Sequence, residues 1–208
     1  MVVAIATVMT HILLTAQRTE LTPSECIAQH AEVFAVFDAA TQDSGNVSYG
    51  VRNGNERLFV KTAGAPEHDR PLLSYEERVA LLRNAIRLAG SMADPALPVL
   101  RNVVESPHGP LLVYEWVDGE LLRRKAAPDS PFARFVKLPA RERVGALDVV
   151  FRVHVALEAR GWIASDFYDG CLIYDFAAQR MHVIDLDNYQ AGANDTRMSI
   201  HTGAPGPE

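Results

Sequence analysis

Two aspartates, Asp166 and Asp185, stand 19 residues apart near the end of the chain, with a predicted hairpin between them. Asp166 lies in a loop after a long helical pattern, and Asp185 ends the second strand of the hairpin. Carboxylates accept hydrogen bonds from hydroxyl groups and bind hard cations. Aspartate at a strand end is also a common turn residue, so the paired occurrence carries the interpretation.

Two other features could bind an anion. Lys61 ends the apolar strand LFVK, and the segment GNVSYG, from Gly45 through Ser48 and Tyr49 to Gly50, ends 11 residues before it. Glycines let backbone N–H groups approach an anion closely. Taken alone, the glycine pair is equally typical of a hairpin turn, and a lysine at a strand end is often only solvated.

Periodicity and turn signals predict the elements that position these residues. Thr22-Pro23-Ser24-Glu25 is typical of a helix start, and we expect the helix to continue through an apolar stripe of Ile27, Ala31, Phe34 and Phe37. Further helices are predicted over 72–89 and 141–159. Strands are predicted at 47–49, 58–61, 111–117, 172–174 and 182–184, with a charged connector at 123–140.

Bulk properties exclude several classes of function. The formal net charge of −6 argues against nucleic acid as a main partner, because phosphate backbones recruit basic surfaces. Two cysteines make no disulfide framework, which favours a reducing, cytoplasmic compartment. No stretch approaches the ~20 apolar residues of a membrane span, and no histidine or cysteine spacing predicts a zinc site.

These elements follow one another in an order that resembles that of the protein-kinase-like superfamily. The order is hairpin, lysine-bearing strand, helix, strand, connector, long helix, acidic loop, hairpin and acidic turn. Bacterial Ser/Thr kinases and aminoglycoside phosphotransferases are examples of the members that it resembles. The resemblance covers residues 40–190 and implies an α+β, two-lobed fold. We expect an N-lobe with an antiparallel sheet over 1–117, a reduced, mainly helical C-lobe over 118–190 and a disordered tail over 191–208.

The resemblance implies a role for each N-lobe residue. Residues 45–50 would cover the phosphates of ATP, and Lys61 would contact the α- and β-phosphates. The carboxylate partner of Lys61 would come from the next helix, where Glu77 lies nearer the apolar face than Glu76. Glu77 could equally be an acid at the helix start, where its negative charge interacts favourably with the helix dipole.

The segment YEWV resembles the hinge between the lobes of this family. Its backbone, at Glu115 C=O and Val117 N–H, would bind the adenine edge, and Glu120 could reach a ribose hydroxyl.

Asp166 matches the catalytic aspartate, and Asp185 matches the aspartate that holds Mg²⁺. The sequence departs from the family where Ala164-Ser165 replaces His-Arg and Cys171 replaces an asparagine. A thiol is a poor Mg²⁺ ligand, so Asp169 or Asp187 would supply the second oxygen, or one metal contact is lost.

Only 23 residues follow Asp185, so the platform that presents a peptide to a protein kinase is not expected. Apolar residues surround the helix 141–159 on nearly all sides, which is typical of a buried helix. Because something must cover that surface, we expect a homodimer through this region.

Three functions fit these features. The first is an ATP- and Mg²⁺-dependent phosphotransferase that acts on a hydroxyl of a small molecule, such as a sugar-bearing antibiotic or a nucleoside-like metabolite. The second is a pseudokinase or nucleotide-binding regulatory module, which the replaced motif residues favour. The third is a bacterial protein Ser/Thr kinase. Fold analogy does not choose among them.

Overall fold

A computed structural model describes residues 11–38, 44–67, 72–124 and 127–192. Within these residues the protein has five α-helices, ten β-strands in three antiparallel sheets and two short 3-10 helices. The expected α+β class is confirmed. The segment 191–208, expected as a disordered tail, begins with the last residue of a strand, and residues 193–208 lie outside the described part.

The helices are α1 (Ile12–Thr15), α2 (Pro23–His30), α3 (Tyr75–Ser91), α4 (Pro131–Val136) and α5 (Ala140–Glu158). The strands are β1 (Glu32–Phe37), β2 (Val47–Asn53), β3 (Glu56–Thr62), β4 (Leu100–Val104), β5 (Leu111–Glu115), β6 (Glu120–Leu121), β7 (Trp162–Ala164), β8 (Leu172–Asp175), β9 (Arg180–Val183) and β10 (Tyr189–Ala191). The 3-10 helices are Asp169–Cys171 and Leu186–Asn188.

The chain divides into two compact units. Unit 1 comprises Met1–Val79 and Leu100–Glu115, and unit 2 comprises Ala80–Val99 and Trp116–Glu208. The lobe boundaries that the sequence suggested, at residues 117 and 190, stay predictions.

Unit 1 is built on a five-stranded antiparallel sheet with the order β1-β2-β3-β5-β4. The hairpin β2–β3 turns at Gly54, whose φ of +58° is a conformation that glycine adopts without a Cβ clash. One face of the sheet packs under α1 and α2 around a core of Leu13, Cys26, Ile27, Val51, Leu58, Val60, Val104, Leu111 and Val113.

The predicted helix start at residues 22–25 is confirmed, but the predicted length of this helix is wrong. Thr22 and Glu25 form a capping box, and α2 then ends at His30. Residues 32–37, EVFAVF, form β1 and pair with β2. The β-branched and aromatic residues of this segment favour a strand, and cross-strand pairing overrides the helical spacing of Phe34 and Phe37.

Unit 2 packs two small sheets, of order β6-β8-β9 and β10-β7, against one face of α5. Its core comprises Leu88, Met92, Ala96, Leu97, Leu122, Phe135, Ala146, Val150, Val153, Leu157, Trp162, Tyr174, Met181, Val183 and Tyr189. The predicted connector contains α4, capped where Ser130 Oγ accepts from Ala133 N at 3.2 Å. Phe135 of α4 packs edge-on against Tyr174, with 5.0 Å between the ring centroids.

Helix α5 buries only one face in this chain, whereas the sequence predicted burial on nearly all sides. Ala146, Val150, Val153 and Leu157 are buried, and the opposite face is exposed. Among the described helices, none is long and apolar enough to cross a membrane.

Candidate functional site

In unit 1, Lys61 lies on the sheet face opposite the hydrophobic core. It alternates along β3 with Val60, a core residue, and successive strand residues point to opposite faces. The lysine is only 8% exposed, which argues against a merely solvated side chain. Ser48 pairs directly with Lys61, so both side chains lie on the same face. Buried polar groups on one face can bind a charged ligand.

The segment expected to form a phosphate-binding loop lies mostly within β2. Residues 47–50 pair with β3, so their backbone groups belong to the ladder of the sheet. Gly45, with φ of +89°, and Asn46 precede the strand. The carboxamide Oδ1 of Asn46 and the Oγ of Ser48 are buried without a hydrogen-bond partner among the described residues. Because the backbone of residues 47–50 belongs to the sheet, the groups that this segment offers to a ligand are mainly these two side-chain oxygens.

Tyr49 lies on the other face of the sheet and packs against the core. Burial raises the pKa of its phenol, and the charge of Asp38 acts in the same direction. Gly50 stands opposite Phe59, whose ring centroid is 6.5 Å from that of Tyr114. The structure therefore separates Tyr49 from Lys61 and leaves an aromatic surface next to Gly50.

Arg78 is the residue that sequence reasoning missed in unit 1. It is fully buried, and its guanidinium donates to the backbone carbonyls of Gly45 at 2.6 Å, of Ala65 at 3.0 Å and of Ala63. Burial lowers the pKa of the guanidinium. Three carbonyls from two segments are thus held by one side chain of α3. An arginine on the apolar side of a predicted helix was the available signal.

The start of α3 is fixed by a reciprocal cap. Ser74 N donates to Glu77 Oε2 at 2.8 Å, and Glu77 N donates to Ser74 Oγ at 3.2 Å. Glu77 therefore has the helix-start role that the sequence left open, and its pairing with Lys61 stays a prediction.

The residues expected to contact adenine and ribose have local partners. Glu115 forms an ion pair with Arg101 at 2.8 Å, and the carboxylate of Glu120 pairs with Arg134. Val117 follows the end of β5 in irregular backbone. Adenine recognition by the backbone of residues 115–117 stays a prediction.

In unit 2, Cys171 ties the loop of Asp166 to the strand that leads to Asp185. Its Sγ lies 3.7 Å from the carbonyl oxygen of Asp166, to which it donates. Its own carbonyl accepts from Ile184 N at 2.8 Å. The thiol that replaces the expected asparagine is completely buried and fixes the loop by hydrogen bonding.

Asp166 and Asp185 act on the same phenol, that of Tyr168. Burial raises the pKa of Tyr168, and negative charge at Cys171, Asp185 and Asp166 raises it further, whereas Arg123 opposes the shift. Geometry links the two segments through Cys171, whose thiol donates to the carbonyl of Asp166 and whose own carbonyl accepts from Ile184 N, next to Asp185. The roles predicted for Asp166 and Asp185 stay predictions.

The three predicted metal ligands have different surroundings. Asp185 has φ of +62° and ψ of +51°, a left-handed conformation that is uncommon for a residue other than glycine. Asp187 is buried in the following 3-10 helix. Asp169 accepts from Arg124 N at 2.9 Å and so orders the neighbouring segment.

A polar network holds the segment after Asp185. Asn84 Nδ2 donates to the carbonyls of Asp187, at 2.9 Å, and of Tyr189. The phenol of Tyr189 lies 2.7 Å from His154 Nε2, and His154 Nδ1 lies 2.8 Å from the carbonyl of Val150. Because the Nδ1 must carry the proton to donate to a carbonyl, Nε2 accepts from the phenol. Both ring nitrogens of His154 are therefore satisfied, which is typical of a structural histidine. Asn84 was missed by sequence reasoning.

The donor set of unit 2 suits a hard cation. Carboxylate oxygens are what Mg²⁺ prefers, and it is commonly held by one or two of them together with phosphate oxygens. Asp185 carries such a carboxylate, and its role as the metal ligand stays a prediction. Within the described ranges, no group of three or more histidine, cysteine or acidic residues could hold a metal ion by itself.

Compared with known proteins, the chain matches no protein-family model and no curated sequence.

Proposed function

We propose that the protein is a phosphotransferase of the protein-kinase-like type, which transfers the γ-phosphoryl group of ATP to a hydroxyl of a small molecule. The observation that carries this proposal is the pair of hydrogen bonds by which Cys171 holds the loop of Asp166 next to Ile184, the residue before Asp185. Two acidic residues on separate loops, one preceding and one following a hairpin, are what this chemistry requires.

Unit 1 supports the nucleotide-binding part of the proposal. Lys61 is 8% exposed and stands opposite Ser48 in the ladder, on the face that also carries Phe59 and Tyr114. The positive charge of a lysine side chain suits the negative charge of a phosphate. The aromatic residues on the same face suit a planar base.

In the transfer, Asp166 acts as the proton acceptor. Its carboxylate accepts a hydrogen bond from the acceptor hydroxyl and takes the proton as the oxygen bonds to the γ-phosphorus. The bond from that phosphorus to the bridging oxygen breaks, and its electron pair leaves with ADP. When bound at Asp185, Mg²⁺ would neutralise charge on the phosphate oxygens. Positioning and electrostatics then supply most of the acceleration.

A nucleotide-binding regulatory module is the second candidate. Two observations favour it: Cys171 uses its thiol to hold Asp166, where the family has an oxygen ligand, and the backbone of residues 47–50 belongs to the sheet. Such a module would bind ATP without transferring phosphate.

Replacement of Asp166 by asparagine distinguishes the two candidates. Asp166→Asn keeps the shape of the side chain but removes the proton acceptor, so we expect turnover to fall at least ~100-fold with ATP affinity unchanged. ADP release would be measured with a panel of aminoglycosides and nucleosides, and Asp129→Asn, at an exposed position, is the matched control. Equal turnover by Asp166→Asn and the native protein would refute the assignment.

A further inference from the structure

Helix α5 carries an apolar stripe that the described chain leaves uncovered. Val144, Leu147, Phe151 and Val155 are 67%, 43%, 71% and 64% exposed. They follow one another at steps of three, four and four residues. At 100° per residue these side chains fall within roughly 80° of the helix circumference. We call these four residues the α5 stripe.

The α5 stripe is not required by the fold of unit 2. The opposite face of the helix, with Ala146, Val150, Val153 and Leu157, already packs into the core. Single exposed apolar side chains are ordinary, but a continuous line of them over three turns marks a surface that another molecule covers.

Charges beside the α5 stripe indicate a second copy of this chain as the partner. Asp148 and Arg152 are exposed and lie on the same side of the stripe, close to its midpoint. In an antiparallel pair related by a two-fold axis near residue 150, Asp148 of one copy lies level with Arg152 of the other. The symmetry repeats this contact, so opposite charges meet twice.

We propose that two copies of this chain associate through the α5 stripe, with the helices antiparallel. Phe151, the most exposed of the four, lies next to the axis and packs against its symmetry mate. Arg152 also lies 3.6 Å from Asp94 of its own chain, which orders the guanidinium before association.

The expected affinity follows from the size of the surface. A standard interface buries about 800 Å² per partner, and one helix face offers less. We therefore expect a reversible dimer with a dissociation constant on the order of micromolar.

Sedimentation velocity at protein concentrations from about 1 to about 200 µM, which bracket that constant, tests the surface. The native chain should shift from monomer to dimer across this range, and Phe151→Asp should stay monomeric. Leu72→Asp, at a residue of unit 1 that is 62% exposed, should dimerise like the native chain. A native chain that is monomeric throughout, or a Phe151→Asp chain that dimerises normally, overturns the proposal.

Charge reversal tests the antiparallel geometry. Asp148→Arg alone places like charges together in both symmetric contacts, and Arg152→Asp alone does the same, so each should weaken dimerisation. An equimolar mixture of the two variants places opposite charges in both contacts and should dimerise more strongly than either variant alone. A mixture that dimerises no better than the single variants overturns the antiparallel arrangement.

Discussion

The buried guanidinium of Arg78 donates to the backbone carbonyl of Gly45 at 2.6 Å, although the two residues are 33 positions apart. The same side chain donates to Ala63 and Ala65, just after the strand of Lys61. Gly64 lies between these two residues with φ of +70°, and a Cβ there would stand 2.5 Å from the Gly45 carbonyl. One arginine therefore holds the segment before β2 and the segment after β3 together, at the open end of the hairpin that carries Lys61.

Replacement of Arg78 by methionine should destabilise unit 1 strongly. The variant leaves three carbonyls without their donor, and hydrogen bonds to a charged group contribute about 1.5–3 kcal/mol each when buried, so a loss of at least ~2 kcal/mol is expected. The midpoint of denaturant unfolding measures it. Arg57→Met, at an exposed position of β3, serves as the control and should change stability by less than ~0.5 kcal/mol. Equal midpoints for Arg78→Met and the native chain would show that the hydrogen bonds of Arg78 are not needed for stability.

Asp185 adopts a backbone conformation that glycine adopts more readily. A glycine at this position therefore removes the carboxylate without straining the backbone, so the effect of the carboxylate on metal binding can be measured apart from stability. Asp185→Gly removes the Cβ at φ of +62°, so the free energy of unfolding should change by less than about 1 kcal/mol. The carboxylate is lost, so Mg²⁺ should no longer strengthen nucleotide binding. Asp185→Ala keeps the Cβ and should be less stable than Asp185→Gly. A large loss of stability in Asp185→Gly would mean that the carboxylate is needed for folding, against the metal-binding role proposed for it.

His11 should make stability depend on pH. Burial lowers its pKa below the ordinary 6.5, His30 acts in the same direction, and Glu56 opposes them. The unfolded chain therefore binds more protons than the folded chain below pH 6.5, so stability is lost as pH falls from 6.5 through the lowered pKa.

The histidine Nδ1 accepts from Leu13 N at 3.1 Å, and asparagine can replace that acceptor. His11→Asn should therefore flatten the fall in melting temperature between about pH 7 and about pH 5, where one proton contributes at most ~1.4 kcal/mol per pH unit. Burial also lowers the pKa of His182, so some slope should remain. An unchanged profile in His11→Asn would contradict this assignment.

The sequence predicted the local features well. The helix start at residues 22–25, the hairpin of β2 and β3 and the hairpin of β8 and β9 depend on neighbouring residues, and the structure confirms each. The strand β1 was predicted as a helix because its pairing with β2 is a long-range contact. The β-branched and aromatic residues of the segment were the local signal for a strand, but the helical spacing of its apolar residues led to the prediction of a helix.

The candidate site was predictable only in part. Asp166 and Asp185 were proposed because each lies in a recognisable loop, and the structure links the two segments through the hydrogen bonds of Cys171. Their catalytic and metal-binding roles stay predictions. The contact from Asn84 to Asp187 spans 103 residues, so no spacing rule could find it. An asparagine inside a helix is unfavourable unless its side chain has a partner, and this was the one available signal.

Calorimetric titration of ATP, with and without Mg²⁺, tests the central claim most directly. The native chain should bind ATP in a Mg²⁺-dependent manner, and Lys61→Ala should weaken that binding at least ~10-fold, the loss expected for a charged phosphate contact. Lys137→Ala, at an exposed residue of unit 2, should bind like the native chain. Absence of binding by the native chain, or equal affinity in Lys61→Ala, would contradict the assignment as an ATP-dependent phosphotransferase.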